Sequence, residues 1–173
     1  MQPAQDLAWL NSLPAADAAK ELLQCCGSTR WAKQMADARP FATVEAAIAS
    51  ANEIWWSLDQ EDWLEAFRSH PKIGEKKAAD PVSTQARQWS GQEQSGVATA
   101  SQETVESLAT LNRAYEEKFG FIFIICATGK TSDEMLSALR ERLQHNPADE
   151  LPIAAAEQSK ITALRLKKLL TSG

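Results

Sequence analysis

His70 is one of two histidines in the 173-residue chain and is followed directly by Pro71. Proline disfavours the α region for the residue before it, so a helix should stop here and project the imidazole from its end. Imidazole titrates near neutrality and serves as a general acid or base; at a helix end it also satisfies the last carbonyls. The segment Ser90-Gly91-Gln92-Glu93-Gln94 fits the S-x-x-E pattern of a capping box, which predicts a helix N-terminus at Ser90. Such a terminus presents free N–H groups and a positive dipole end to an anion. Glu93 suits positioning His70 or moving a proton, in competition with the box, and Gln94 suits reading a urea-like amide. Arg165 has Ile161 and Leu169 four residues to either side, which places a guanidinium on an apolar helix face. A buried charge is costly alone, so Arg165 calls for a carboxylate ligand held in bidentate geometry, an internal salt bridge, or a route for the side chain to the surface. The apolar run Phe123-Ile124-Ile125-Cys126-Ala127 offers backbone groups to a ligand, or else fills the core as a connector. Cys126 has no activating neighbour and reads as a small buried hydrophobe. His145 precedes Asn146-Pro147 and reads as a surface residue at a helix end.

The elements that must position these residues are almost all helical. Asn11-Ser12-Leu13-Pro14 predicts a helix start and Gly27 its end. Ser28 caps a second helix that Pro40 stops, and Thr43 opens a third with Val44, Ala47, Ile48, Ala51, Ile54 and Trp55 at helical spacing. Asp59 caps a fourth, with Trp63, Leu64 and Phe67 on one side, ending at Ser69-His70-Pro71. Lys72 to Thr84 reads as a long connection, of a length that is uncommon unless functional. Ser90 is expected to open a long helix reaching Lys118 and closed by Gly120. Phe121 to Cys126 is either extended or a buried helical turn. Thr131 and Glu134 form a capping box, and Asn146-Pro147 opens a last helix running toward Leu170. The fold class expected is all-α: one compact domain over residues 1–173 of seven or eight helices, with at most one short extended segment. The long helix and the last helix are the expected partners across its core.

Composition narrows the function classes. Charged residues make up 24% and hydrophobic residues 44%, ordinary for a globular protein, and the net charge of −5 argues against a nucleic-acid footprint. Met1 to Leu10 lacks the charged and apolar regions of a signal peptide, and the densest apolar stretch, Phe119 to Ala127, is about half of what spans a bilayer. No membrane association is therefore expected. Cys25, Cys26 and Cys126 show no Cys-x-x-Cys spacing, so a reduced cytoplasm is the expected location and a structural zinc site is not expected. The six tryptophans are expected to fill the core, with one ring of Trp55-Trp56 at an edge that suits a subunit contact.

Four blocks in order carry a resemblance. Phe67-Arg68-Ser69-His70-Pro71-Lys72-Ile73-Gly74, Ser90-Gly91-Gln92-Glu93-Gln94, the stretch from Asn112 to Ala127, and Lys160-Ile161-Thr162-Ala163-Leu164-Arg165-Leu166 together resemble the 2-oxo-4-hydroxy-4-carboxy-5-ureidoimidazoline (OHCU) decarboxylases, from about Leu13 to Leu169. The resemblance implies an all-helical fold, commonly a homodimer, with no metal or organic cofactor. It implies conversion of OHCU to (S)-allantoin and carbon dioxide, in functional coupling with urate oxidase and hydroxyisourate hydrolase. Some relatives are fused to that hydrolase; in a chain of this length the hydrolase is expected to be separate. By the resemblance, His70 matches the catalytic histidine and Glu93 its acidic partner. Pro71, Ser90, Gly91, Gln92, Gln94, the backbone of Phe123, Ile124, Ile125, Cys126 and Ala127, and Arg165 match substrate contacts. Lys72 stands where some relatives carry an acid. Two other classes remain open on the residues alone: a helical module that binds a purine-like or carboxylate ligand without turnover, and an interaction domain using the Trp55-Trp56 edge. Neither requires the acid–base pair of His70 and Glu93.

Overall fold

The computed structural model describes residues 6–73, 83–98 and 100–171. Nine α-helices follow one another among them: α1 Leu7–Ser12, α2 Ala15–Leu22, α3 Thr29–Ala38, α4 Val44–Ser57, α5 Gln60–Arg68, α6 Thr84–Glu93, α7 Gln102–Phe119, α8 Ser132–Arg142 and α9 Pro147–Thr171. No described residue belongs to a β-strand, and no described helix is long and apolar enough to cross a membrane. The expected connection from Lys72 to Thr84 falls largely on residues 74–82, outside the described residues. The chain groups into two compact units, residues up to Ala66 with those from Ser159 onward, and Phe67–Gln158.

In the first unit α3 packs on α2 and on α4, around buried Leu10, Leu22, Trp31, Met35, Trp55 and Leu166. The starts follow side-chain capping. Ser28 accepts from the Trp31 N–H at 3.2 Å, Thr43 from that of Ala46 at 3.0 Å and Asp59 from that of Asp62 at 3.2 Å, each quieting a donor the helix leaves unpaired. The opening of the chain departs from the sequence reading. A helix, α1, precedes Leu13, and Pro14 occupies the cap of α2 without any side-chain bond. Asn11 instead pairs with the Phe41 backbone in both directions, donating to its carbonyl and accepting from its N–H at 2.9 Å each. The tryptophans are also less uniformly buried than their number suggests. Trp31, Trp55 and Trp89 are buried, while Trp56 is 42% exposed and stands edge-on against Trp63.

In the second unit the expected long helix from Ser90 to Lys118 is two helices. α6 begins after Ser83, whose hydroxyl accepts from the Ala86 N–H, and ends at Glu93. A single 3-10 turn, Ser95–Val97, follows, and α7 starts after Ser101, which accepts from the Thr104 N–H. Gly96 marks the break: a Cβ there would lie 2.3 Å from the carbonyl oxygen of Lys130, an approach only glycine permits. The S-x-x-E match at Ser90 fails because the helix is already under way, with Ala86 and Trp89 buried ahead of it. Other ends are as the sequence reads. Gly120 closes α7 at φ 82°, and Thr131 and Glu134 form their capping box. Asn146 accepts from the Asp149 N–H at the start of α9.

The packing partner of α7 is α8, around Leu108, Tyr115, Phe123, Met135, Leu136 and Leu139. α7 and α9, the expected partners across the core, are joined by a buried polar network. Glu150 of α9 is fully buried and accepts from the Tyr115 hydroxyl. Arg142 of α8 reaches the same carboxylate oxygen with Nε at 2.7 Å and a terminal nitrogen at 2.6 Å, and His145 Nδ1 lies 3.0 Å from the other oxygen. His145 is thus half-buried in this network rather than a surface residue. The second terminal nitrogen of Arg142 donates to the Ile124 carbonyl, and its guanidinium lies 4.6 Å from the centre of the Phe123 ring. Removing one partner of a buried ion pair leaves the other uncompensated. Arg142→Ala should therefore lower the unfolding free energy by about 3–5 kcal/mol, read from urea denaturation. A loss below about 1 kcal/mol, the size of a surface pair, would show that Glu150 is compensated by other groups.

Candidate active site

The residues singled out for chemistry gather mostly in the second unit. α5 stops at Arg68, and the His70 N–H closes the turn on the Phe67 carbonyl at 3.2 Å, as its neighbour Pro71 requires. The His70 side chain is 8% exposed, and its Nε2 lies 2.7 Å from Oε1 of Gln158, a wholly buried side chain of α9. Ser90 and Glu93 are three residues apart on α6 and both buried, at 6% and 7% exposure; Gly91 and Gln92 are exposed and Gln94 is half-buried.

The placement of Ser90 and Glu93 in the last turn of α6 overturns the helix N-terminus expected there. The Gln94 N–H bonds back to the Ser90 carbonyl at 3.1 Å, the closing bond of a helix C-terminus. That end carries carbonyl groups and the negative end of the dipole, so it offers an anion no help. A cleft of about 650 Å³ nevertheless opens here, lined by Pro71, Ser90, Gly91 and Gln94, with Arg87 and Val97. Four of the expected contact residues thus share one cleft, and Arg87 brings it a guanidinium that the sequence reading passed over.

Phe123 to Ala127 is a buried connector with no regular secondary structure, so it is not a helical turn. Part of its backbone is engaged within the protein. The Cys126 N–H donates to Glu157 at 3.0 Å, the Ile124 carbonyl accepts from Arg142, and the Ala127 carbonyl accepts from the Lys130 N–H. Burial pushes the Cys126 thiol up, and the carboxylates of Glu157 and Glu93 add to the effect against the Thr128 backbone and Lys130. Cys126 therefore stays a neutral thiol, consistent with its reading as a small hydrophobe.

Arg165 belongs to the first unit. It is 2% exposed, as its apolar face predicts, and a terminal nitrogen donates to the Gln24 carbonyl at 3.2 Å. Gln158 and Glu157 were not legible as site residues, because Gln and Glu on a helix ordinarily face water. The signal was nonetheless present. Gln158 lies on the same stripe of α9 as Ala154, Ala155, Ile161 and Thr162, all buried, by the logic that singled out Arg165. Among the described residues no group of three or more His, Cys, Asp or Glu stands together as a metal site.

The sequence matches the family described as OHCU decarboxylase over residues 11–167. The chain belongs to the OHCU decarboxylase family. It is 47% identical over 85% of its length to an Arabidopsis thaliana protein named uric acid degradation bifunctional protein. It is 33% identical over 76% of its length to a 2-oxo-4-hydroxy-4-carboxy-5-ureidoimidazoline decarboxylase of Amia calva, of which it covers 75%. A crystal structure of an OHCU decarboxylase in the presence of (S)-allantoin matches 88% of this chain and 98% of that one, with 45% identity and a TM-score of 0.77. The chain spans 45% of the length of the Arabidopsis relative and 27% of that of a Bacillus subtilis relative with a similar name.

In this OHCU decarboxylase family member the surroundings of Arg165 make a measurable pH dependence. The Cys26 thiol is pushed up to about 12, by burial above all; bonds from the Ser28 backbone and the Thr162 side chain and the charge of Arg165 oppose the rise, while Glu65 adds to it. The unfolded thiol ionises first, so stability is fully present below about pH 9 and is lost as pH rises toward about 12. Urea titrations between pH 8 and pH 10.5 should show wild-type stability falling with pH. Cys26→Ala should remove up to about 1.4 kcal/mol per pH unit of that fall. Parallel slopes in the two proteins would show that Cys26 ionises alike in both states.

Proposed function

We propose that this chain is a carboxy-lyase that converts OHCU to (S)-allantoin and carbon dioxide in urate breakdown, with His70 as its acid–base residue and Glu93 as the acidic partner. The observation that carries the reading is the cleft of Pro71, Ser90, Gly91 and Gln94 in a member of this family, with His70 buried next to Pro71 in the chain. The substrate's own constitution supplies what a cofactor would otherwise provide. Its hydroxyl and carboxylate share one ring carbon. When the bond to the carboxylate breaks, carbon dioxide leaves and the electron pair stays on the ring, delocalised over the neighbouring unsaturated carbon and nitrogen. The hydroxyl gives up its proton to become the carbonyl of allantoin, and a proton is delivered to one face of the ureido-bearing carbon. The balance is one carboxylate and one proton in, one allantoin and one carbon dioxide out.

The protein's part is to bind the developing anion, orient the carboxylate and move protons. His70 suits removal of the hydroxyl proton or delivery of the new one. Ser90, Gly91, Gln92 and Gln94 suit the hydrogen-bonding groups of the ureido arm and ring, and the backbone of Phe123, Ile124, Ile125, Cys126 and Ala127 suits the anion. Arg165 enters through the family resemblance: a buried guanidinium is the natural partner of a carboxylate. With no helix N-terminus at Glu93, positive charge must come from side chains, and Arg87 on the cleft is one source. The reading extends to a homodimer working in the cytoplasm, without metal or organic cofactor, on substrate supplied by urate oxidase and hydroxyisourate hydrolase.

A circular-dichroism time course on urate, with those two enzymes present, tests the reading. Addition of the protein should produce a fast single-handed allantoin signal, and His70→Ala should slow it by at least about 10²-fold. A slow racemic outcome identical with and without the protein would discard the decarboxylase reading in favour of a ligand-binding module. Full activity in His70→Ala would remove the residue's role alone.

A further inference from the structure

The 2.7 Å contact between His70 Nε2 and Gln158 Oε1 constrains the imidazole more than burial does. An amide oxygen accepts hydrogen bonds and has no proton to give, so Nε2 must carry the hydrogen and donate. Both groups are out of water, at 8% and 0% exposure, where a mismatched pair of acceptors would cost several kilocalories. Gln158 is itself fixed: it lies on α9 between buried Ala154 and Ala155 one turn before and buried Ile161 and Thr162 one turn after. The next residue back, Glu157, ties the same turn of α9 to the Cys126 N–H. One turn of helix thus holds both the imidazole and the connector's backbone.

We propose that Gln158 is a positioning residue for His70: it locks the ring in the Nε2–H tautomer and so assigns the exchangeable acid–base proton to Nδ1. This rests on His70 being the acid–base residue of the proposed decarboxylation. A neutral acceptor suits the task better than a carboxylate. A carboxylate at the same distance would also fix the ring, but it would favour the imidazolium and pull the group away from neutrality as a base. The amide orients the ring without adding charge.

Two measurements test the assignment, and the first does not depend on turnover. Long-range proton–nitrogen correlation spectra distinguish the two tautomers of a neutral histidine. The chain has two histidines, so the His70 signals are those lost in His70→Ala. Wild type should show a protonated Nε2, and Gln158→Leu should lose that bias. A protonated Nδ1 in the neutral wild-type ring overturns the proposal, since the amide would then be turned the other way round. The second measurement is the pH profile of allantoin formation. Gln158→Leu should lower kcat by roughly tenfold or more with KM changed by less than about threefold, the pattern of a lost transition-state interaction. Gln158→Glu keeps an acceptor and should recover most of kcat at high pH, with the acid limb moved upward by about one pH unit or more. Among the described residues, the ionisable side chains within three positions of His70 or Gln158 in the chain are Arg68, Lys72, Glu157 and Lys160. They are common to both variants, so the difference isolates position 158. Unchanged kcat in Gln158→Leu overturns the proposal, as does an unmoved acid limb in Gln158→Glu. The glutamate variant carries the test if the leucine variant does not fold. The expected tautomer in a protein that makes no allantoin would remove the decarboxylase reading and leave the positioning of His70 in place.

Discussion

Glu150 is taken wholly out of water, and the groups that compensate it come from separate stretches of the chain: Tyr115 of α7, Arg142 of α8 and His145 beyond it. An isolated carboxylate in such a place would be prohibitive, so the three segments can be buried only together. Arg142 then carries the constraint further, into the backbone of the connector at Ile124 and over the ring of Phe123. Burial holds the Tyr115 hydroxyl protonated, against the pull of Arg142, which leaves it the donor this arrangement needs. Among the described residues the connector has no strand to pair with, and side chains hold its backbone: Arg142 from one helix and Glu157 from another.

The same economy shapes the cleft. It is built at two helix C-termini, the end of α5 at His70 and Pro71 and the end of α6 at Ser90 to Gln94. Carbonyl dipoles at such ends suit a cation or a hydrogen-bond donor. An anionic substrate bound there must draw its compensation from guanidinium groups and backbone N–H groups, which gives the arginines a larger share than in sites built on a helix N-terminus. Neutral partners matter for the same reason. Gln158 holds His70 without adding to the negative potential, and the Cys126 thiol stays uncharged beside Glu93 and Glu157.

Membership of the OHCU decarboxylase family and the position of the cleft bear on different questions. The first says which proteins the chain is related to, and the second says which side chains meet. Pro71, Ser90, Gly91 and Gln94, singled out by the resemblance, line the cleft. The geometry adds Arg87, Glu157 and Gln158, and it changes the electrostatic role of the Ser90 to Gln94 segment without moving it out of the cleft.

The sequence by itself determined the helical class and most helix starts, because these depend on local chemistry. A hydroxyl or carboxylate that accepts from the N–H three residues on caps a helix, as at Ser28, Thr43, Asp59 and Thr131. A proline after His70 ends α5 by steric clash, whereas the apolar neighbours of Arg165 left burial and a route to the surface both open until packing decided for burial. Tertiary structure decided what local pattern leaves ambiguous. Ser90 and Glu93 satisfy a start signal yet end α6, because burial of Ala86 and Trp89 favours the earlier start and the contact of Gly96 with Lys130 fixes the break after it. Asn11 reads as a cap and is spent instead on Phe41, thirty residues away. The partners of His70, Arg142 and Cys126 lie 88, 8 and 31 residues distant, on α9. No spacing rule joins them, since which polar groups meet in a core is settled only when the apolar faces around them have closed.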